Sequence, residues 1–251
     1  PRTMVTHTWS NTFSNLVAAV FADCLVHATF DSVLALMGSQ EGLEELQRRL
    51  EPQAKRTCWI CALSVNQHAT ICSRTRKPQD STGHDIRLCG CCTPKHSSGD
   101  ECEVNKFDDM MAFLYVASPG LRQLVALDPR FDLLDRIWCM AELVEAQKLK
   151  LPQALNLISP AVLETHASQL RSVDIRQAHA SHPEDRELIL SKVKDPDAFN
   201  TALRDLLFNP TVGLFAVWPG GGGPMVQAAS ALVDSAGAMA GLAIAPGIAS
   251  M

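Results

Sequence analysis

Apolar positions along the chain follow two rhythms, and their alternation predicts the architecture. MVTHTW (Met4–Trp9) reads as a short strand, after which Ser10 or Asn11 can cap a helix. FSNLVAAVFADCLVHATFDSVLALM then repeats at helical spacing, with Leu16, Val20, Cys24 and Leu25 on one stripe. GSQEGLEELQRRLEPQAKR is polar and charged, a short helix or a mobile insertion. TCWICALSV (Thr57–Val65) is a continuous β-rich apolar run, the pattern of a buried central strand. FDDMMAFLYVA (Phe107–Ala117) reads as a helix whose first acids, Asp108 and Asp109, favour its dipole. LRQLVAL, inside Gly120–Pro129, is another buried strand stopped by Asp-Pro, and FDLLDRIWCMAELVEAQKLK is the second strong helix. Asp132 or Asp135 can cap that helix, and Lys148 and Lys150 suit its C-terminal end. ALNLISP reads as one more strand. Two or three further helices run on to Phe208, one of them with Ser181 as its N-cap. Strands alternating with helices predict an α/β domain with a mostly parallel sheet flanked by helices.

Two stretches break the rhythm. Residues 69–105 are long, polar and rich in Cys, Gly, Pro and Ser, with no apolar period, and read as an insertion in an α/β domain spanning 1–208. Residues 209–251 are Gly- and Ala-rich with almost no charge. Four glycines, Gly220–Gly223, form a hinge there; they lack the strand-before, helix-after setting of a phosphate loop. Apolar residues beyond a hinge call for a partner, so other protein subunits, or a second copy of the chain, are expected to dock on 209–251. A membrane contact of the tail stays open.

Composition narrows the function classes. A chain of 251 residues with 47% hydrophobic content can bury one sizeable core. A net charge of −5 and aromatics at 6% argue against nucleic acid, by charge and by stacking surface alike. Nine cysteines in a helical chain of this length, with no charged-then-apolar leader, fit an intracellular protein with a local Cys cluster.

Candidate chemistry falls in two places. Cys72, Cys89, Cys91, Cys92, His96 and Cys102, with His68 nearby, share the structure-poor insertion, where a zinc ion would supply the missing fold. The preferred ligands are Cys72, Cys89, Cys91 or Cys92, and one of His96 and Cys102. A disulfide pair or unpaired thiols remain the alternatives. Such a zinc would be structural, since four thiolate-rich ligands leave no open position. Cys58 and Cys61 of CWIC are set aside, because i and i+3 on a strand point to opposite faces; both are expected to be apolar packing. The other place is RIWCMAELVEA (Arg136–Ala146), where Glu142 falls among apolar residues and Trp138 is its i,i+4 neighbour. The bland reading is an amphipathic helix whose Glu escapes at the edge.

The succession LVALDPRFDLLDRIWCMAELVEA resembles the TIR (Toll/interleukin-1 receptor) domain family, through Trp138, Cys139, Glu142 and Leu143. Met140 and Arg136 stand where the family pattern has Leu and often Ser. VTHTW, with His7 and Trp9, the Asn66–Gln67–His68 strand end and the Arg136–Glu142 helix resemble a TIR-like group of algal and protist proteins. SVDIRQAHASHPEDRELIL resembles the tail of that group. The resemblance covers roughly residues 4 to 208 and implies a flavodoxin-like fold.

In enzymatic TIR domains the helix Glu cleaves the nicotinamide–ribose bond of NAD, which implies a catalytic role for Glu142. A carboxylate there can stabilise an oxocarbenium-like state. His7, Trp9 and Trp138 would line a cleft binding NAD at the C-terminal ends of the strands. Many TIR domains are adaptors, so two readings stand. The first is an interaction or scaffold module within a larger assembly, with a nucleotide-binding cleft; the alternative is an NAD nucleosidase using Glu142.

Overall fold

In the computed structural model, residues 1–64, 79–80, 82–85, 90–91, 106–181 and 183–220 are described. Asn66, Gln67, His68 and five of the six candidate zinc ligands, Cys72, Cys89, Cys92, His96 and Cys102, lie outside them. Four strands, β1 (Thr3–Thr6), β2 (Cys58–Ile60), β3 (Arg122–Ala126) and β4 (Gln153–Asn156), form one sheet in the order β2-β1-β3-β4. Every pairing is parallel: Thr3 is opposite Cys58 and Arg122, and Gln123 is opposite Gln153. This is the flavodoxin-like strand order, and it reverses between β1 and β3. The crevice above the carboxyl ends of those two strands is where such folds place a ligand.

Helices cover both faces. On one, Val5, Leu124 and Ala126 meet α1 (Phe13–Cys24), α2 (Asp31–Leu36) and α3 (Gln40–Leu50). Ala18, Ala19 and Ala22 bring the α1 backbone close to the sheet. On the other face, Met4 packs with Met111 and Leu114 of α5 (Lys106–Ala117). Val125 and Leu155 pack there with α6 (Ile137–Lys148). α6 is buried almost all round, because four further helices close over it: α7 (Ala161–Thr165), α8 (Ala167–Arg171), α9 (Pro183–Lys192) and α10 (Pro196–Phe208). The core runs past Phe208: Leu214, Phe215 and Trp218 are buried in it, and the Trp218 indole donates to the Ala28 carbonyl at 2.8 Å. No helix among the described residues is long and apolar enough to cross a membrane.

Several expectations change at their edges. β2 is a three-residue edge strand, not a central one, and Cys61 opens a four-residue helix, α4 (Cys61–Ser64). An unbroken apolar run looks two-sided in sequence. Here it serves a half-buried edge and then a turn over the top of the sheet. The first strand stops at Thr6, which frees His7 and Trp9 for the loop above it. Thr12, not Ser10 or Asn11, caps α1 by accepting from the Asn15 amide. A 3-10 turn over Asp132–Asp135 precedes α6, so neither aspartate caps it; Arg136 occupies that position. The Ser181 hydroxyl accepts from Arg136 at 2.9 Å.

The long helical pattern beginning at Phe13 is interrupted at Val26, whose φ is +60°. Val26 donates to Asp23 O and His27 to Ala22 O, a Schellman ending with valine where glycine is usual. The same ending closes α6 at Lys150, φ +58°, with Leu151 donating to Ala146 O. A β-branched side chain in the left-handed region costs about 1–2 kcal/mol, and the 88% exposed Val26 gains no packing in return. Val26→Gly and Lys150→Gly are each expected to stabilise the fold by about 1 kcal/mol in chemical denaturation. An unchanged or lower midpoint for Val26→Gly would contradict this account of the turn.

Candidate ligand cleft

The loops leaving β1 and β3 build the rim of the crevice. Asp128, 2% exposed, folds the second loop by accepting from the amides of Arg130, Asp132 and Leu133 at 3.1, 3.0 and 2.9 Å. Burial raises its pKa, and the Leu133 and Asp132 amides pull the other way. The turn sets buried Phe131 at φ +61°, and the His166 ring stacks on it. Asp132 then reaches the first loop. Its Oδ2 accepts from Ser10 Oγ at 2.9 Å and from Arg130 Nη2 at 2.6 Å. These bonds join the two loops that flank the reversal of strand order.

Beside this bridge, bounded by the loop leaving β1, the start of α1 and Ala62 of α4, opens a cavity of about 290 Å³. Trp9, Phe13, Leu16 and Ala62 give it apolar walls, and His7, Thr8, Asn11 and Thr12 give it hydrogen-bonding groups. Trp9 and Phe13 are 46% and 68% exposed, so their ring faces are open at the mouth. The Trp9 indole donates to Cys61 Sγ at 3.3 Å, and that sulfur lies 3.9 Å from His7 Nε2. Cys61 thus contacts two residues that line the cleft without lining it itself. Burial pushes its thiol up to about 12, with the Glu142 carboxyl adding to the shift, which makes it a poor nucleophile. His7 is buried and its pKa falls to about 4 by desolvation, so the imidazole is neutral. Its Nδ1 has no hydrogen-bond partner among the described residues, and its carbonyl accepts from Cys139 Sγ at 3.4 Å.

Glu142 lies beneath the cleft and does not line it. The side chain is 5% exposed and accepts from the Thr6 hydroxyl. Thr6 in turn accepts from Gln123 Nε2 at 2.7 Å, and Gln123 Oε1 accepts from Gln153 Nε2 at 2.6 Å. Gln153 also donates to the Leu143 carbonyl of α6 at 3.1 Å. A polar ladder thus crosses β1, β3 and β4 under α6, with Glu142 as its titratable end. Desolvation raises Glu142 to about 8 against the opposing pull of the Thr6 bond, so the carboxyl is mostly protonated at pH 7. Trp138 is half-buried against the core packed on the C-terminal helices and is absent from the cleft lining.

Of the residues singled out in sequence, His7 and Trp9 line the cleft, Glu142 sits one layer below, and Trp138 packs elsewhere. Cys91 is half-buried. Among the described residues no group of three or more His, Cys, Asp or Glu side chains is placed to hold a metal ion. Thr6, Gln123 and Gln153 were not anticipated, although a glutamine inside the apolar run LRQLVAL was the signal for a buried polar partner. Comparison with protein-family models, curated proteins and solved structures finds no match.

Two opposed titrations follow. Glu142, near 4.5 when unfolded and about 8 when folded, stabilises fully below 4.5, and that contribution is lost as pH rises to 8. His7, near 6.5 unfolded and about 4 folded, contributes above 6.5 and loses it as pH falls. The two slopes offset each other between 4.5 and 6.5, leaving Glu142 alone from 6.5 to 8. Stability measured by denaturation is expected to fall by about 1.4 kcal/mol per pH unit in that upper window. Glu142→Gln should flatten the curve there; an unchanged slope in that variant would contradict a neutral buried Glu142.

Proposed function

We propose that this chain is a TIR-like interaction module whose cleft binds a nucleotide-type ligand and does not turn it over at neutral pH. The observation that carries this reading is the placement of Glu142. It is sealed below the cleft, bonded to Thr6 and held protonated. A neutral carboxyl offers a developing cation little stabilisation, whereas catalysis requires charge aimed at the reacting centre. The cleft itself has the apolar walls and few polar groups of a small-molecule site, at the carboxyl end of β1. The module is proposed to act with other protein subunits or with a second copy of itself, residues 209–251 supplying a contact.

At pH 7, nicotinamide release from NAD is expected to be the same for wild type and Glu142→Ala at high protein concentration. Release that depends on Glu142 would overturn the non-catalytic reading. The alternative, an NAD nucleosidase, is favoured by the proximity of Glu142 to Cys61 and predicts a different signature. Its rate would climb with pH as Glu142 ionises near 8, and Glu142→Gln would abolish it.

For the Cys/His-rich insertion we propose a structural zinc, supported by ligand chemistry in a segment with no apolar period. Elemental analysis of chelator-free protein should find about one zinc per chain. A content under about a tenth of that in folded protein would contradict the site.

A further inference from the structure

We infer that the cleft selects an uncharged flat heterocycle with a hydrogen-bonding edge, a free base or nucleoside, over its phosphorylated form. This rests on the ligand-binding reading of the same cleft and adds to it the chemistry the ligand must have. Four observations converge on it.

The walls come first. Trp9 and Phe13, both exposed, line the cavity together with Leu16 and Ala62. Such walls favour a flat aromatic guest, each aromatic pair contributing about 0.5–1.5 kcal/mol beyond area burial. Size is second. A cavity of about 290 Å³ lies just below the span of about 300–1,000 Å³ typical for drug-sized ligands, which suits one ring system with a small appendage.

The third observation is charge. The remaining lining groups, His7, Thr8, Asn11 and Thr12, are neutral, His7 because burial disfavours its protonated form. Arg130 is the cation at the adjoining rim, and its guanidinium is already committed to Asp132 Oδ2 and the Ser10 carbonyl. A phosphate entering there meets a carboxylate alongside the arginine and gains little net charge. The amino end of α1 at Thr12 is the feature that favours an anion, by about 0.3–1 kcal/mol. Among the described residues the lining holds no cation, and the helix end opposes the selection without replacing one.

The fourth is the orphaned His7 Nδ1, in a side chain 4% exposed that lines the cavity. A buried polar atom without a partner costs about 1–3 kcal/mol. Nδ1 itself is sealed, so the hydrogen-bonding edge of a heterocycle is met by Thr8, Asn11 and Thr12, which line the cavity. A plain hydrocarbon ring offers them nothing.

The test is isothermal titration of the full chain at pH 7. The probes are adenine, guanine, uracil and nicotinamide, their nucleosides, the nucleoside 5′-monophosphates, and inorganic phosphate. At least one base–nucleoside pair should bind about threefold or more tighter than its monophosphate, with no competition from phosphate. Trp9→Ala or Phe13→Ala, both at exposed positions, should weaken that binding by about tenfold or more. A monophosphate binding less than about threefold weaker than its nucleoside, or displacement by phosphate, overturns the selectivity and leaves the ligand-binding reading standing. If no ring binds, or if both variants bind as wild type does, the inference and the cleft's role as a ring site fall together.

Discussion

The chain of hydrogen bonds from Glu142 through Thr6 and Gln123 to Gln153 is the constraint on which the rest of the molecule turns. It crosses three adjacent strands and ties them to α6 through the Leu143 carbonyl. Each bond is an ordinary one, worth about 1 kcal/mol net. Their placement in a buried layer is what matters: a half-satisfied polar network there is worse than none, so the register of β1, β3 and β4 and the docking of α6 are specified together. The same layer sits directly under the loop that carries His7 and Trp9. The mechanical base of the cleft and the one candidate catalytic carboxyl are therefore parts of one structure.

That coupling explains why the cleft is neutral. Desolvation favours the uncharged form of three groups around it: Glu142 and Cys61 are pushed up, His7 is pushed down. The charged groups nearby, Arg130 and Asp132, are spent on each other at the rim. On the proposed reading, a site built this way discriminates by shape, stacking and hydrogen-bond edges.

Much of this was legible in the sequence. The strand–helix alternation forecast the parallel sheet because β3 and the helix after it are buried and keep their periods clean. His7 and Trp9 stood out through the resemblance carried by the VTHTW strand end, not through any periodicity. What sequence could not supply is depth. Glu142 and Trp138 are i,i+4 on one helix, yet the helix is buried nearly all round, so the same face that hides Glu142 under β1 turns Trp138 toward the C-terminal helices. CWIC misled for a related reason. Its cysteines belong to two elements, a strand end and the start of a helical turn, and a continuous apolar run conceals that break. The end of the long first helical pattern at Val26 was hidden because valine is an improbable helix terminator.

The most direct test of the central claim is the titration of the Glu142 carboxyl itself, followed by NMR of side-chain-labelled glutamate with Glu142→Gln to assign the signal. The ladder predicts a midpoint near 8, moving higher in Thr6→Val, where the one bond that favours the ionised form is gone. A midpoint near 4.5, unmoved by Thr6→Val, would mean that Glu142 faces water and that the layer beneath the cleft is not the sealed polar ladder described here.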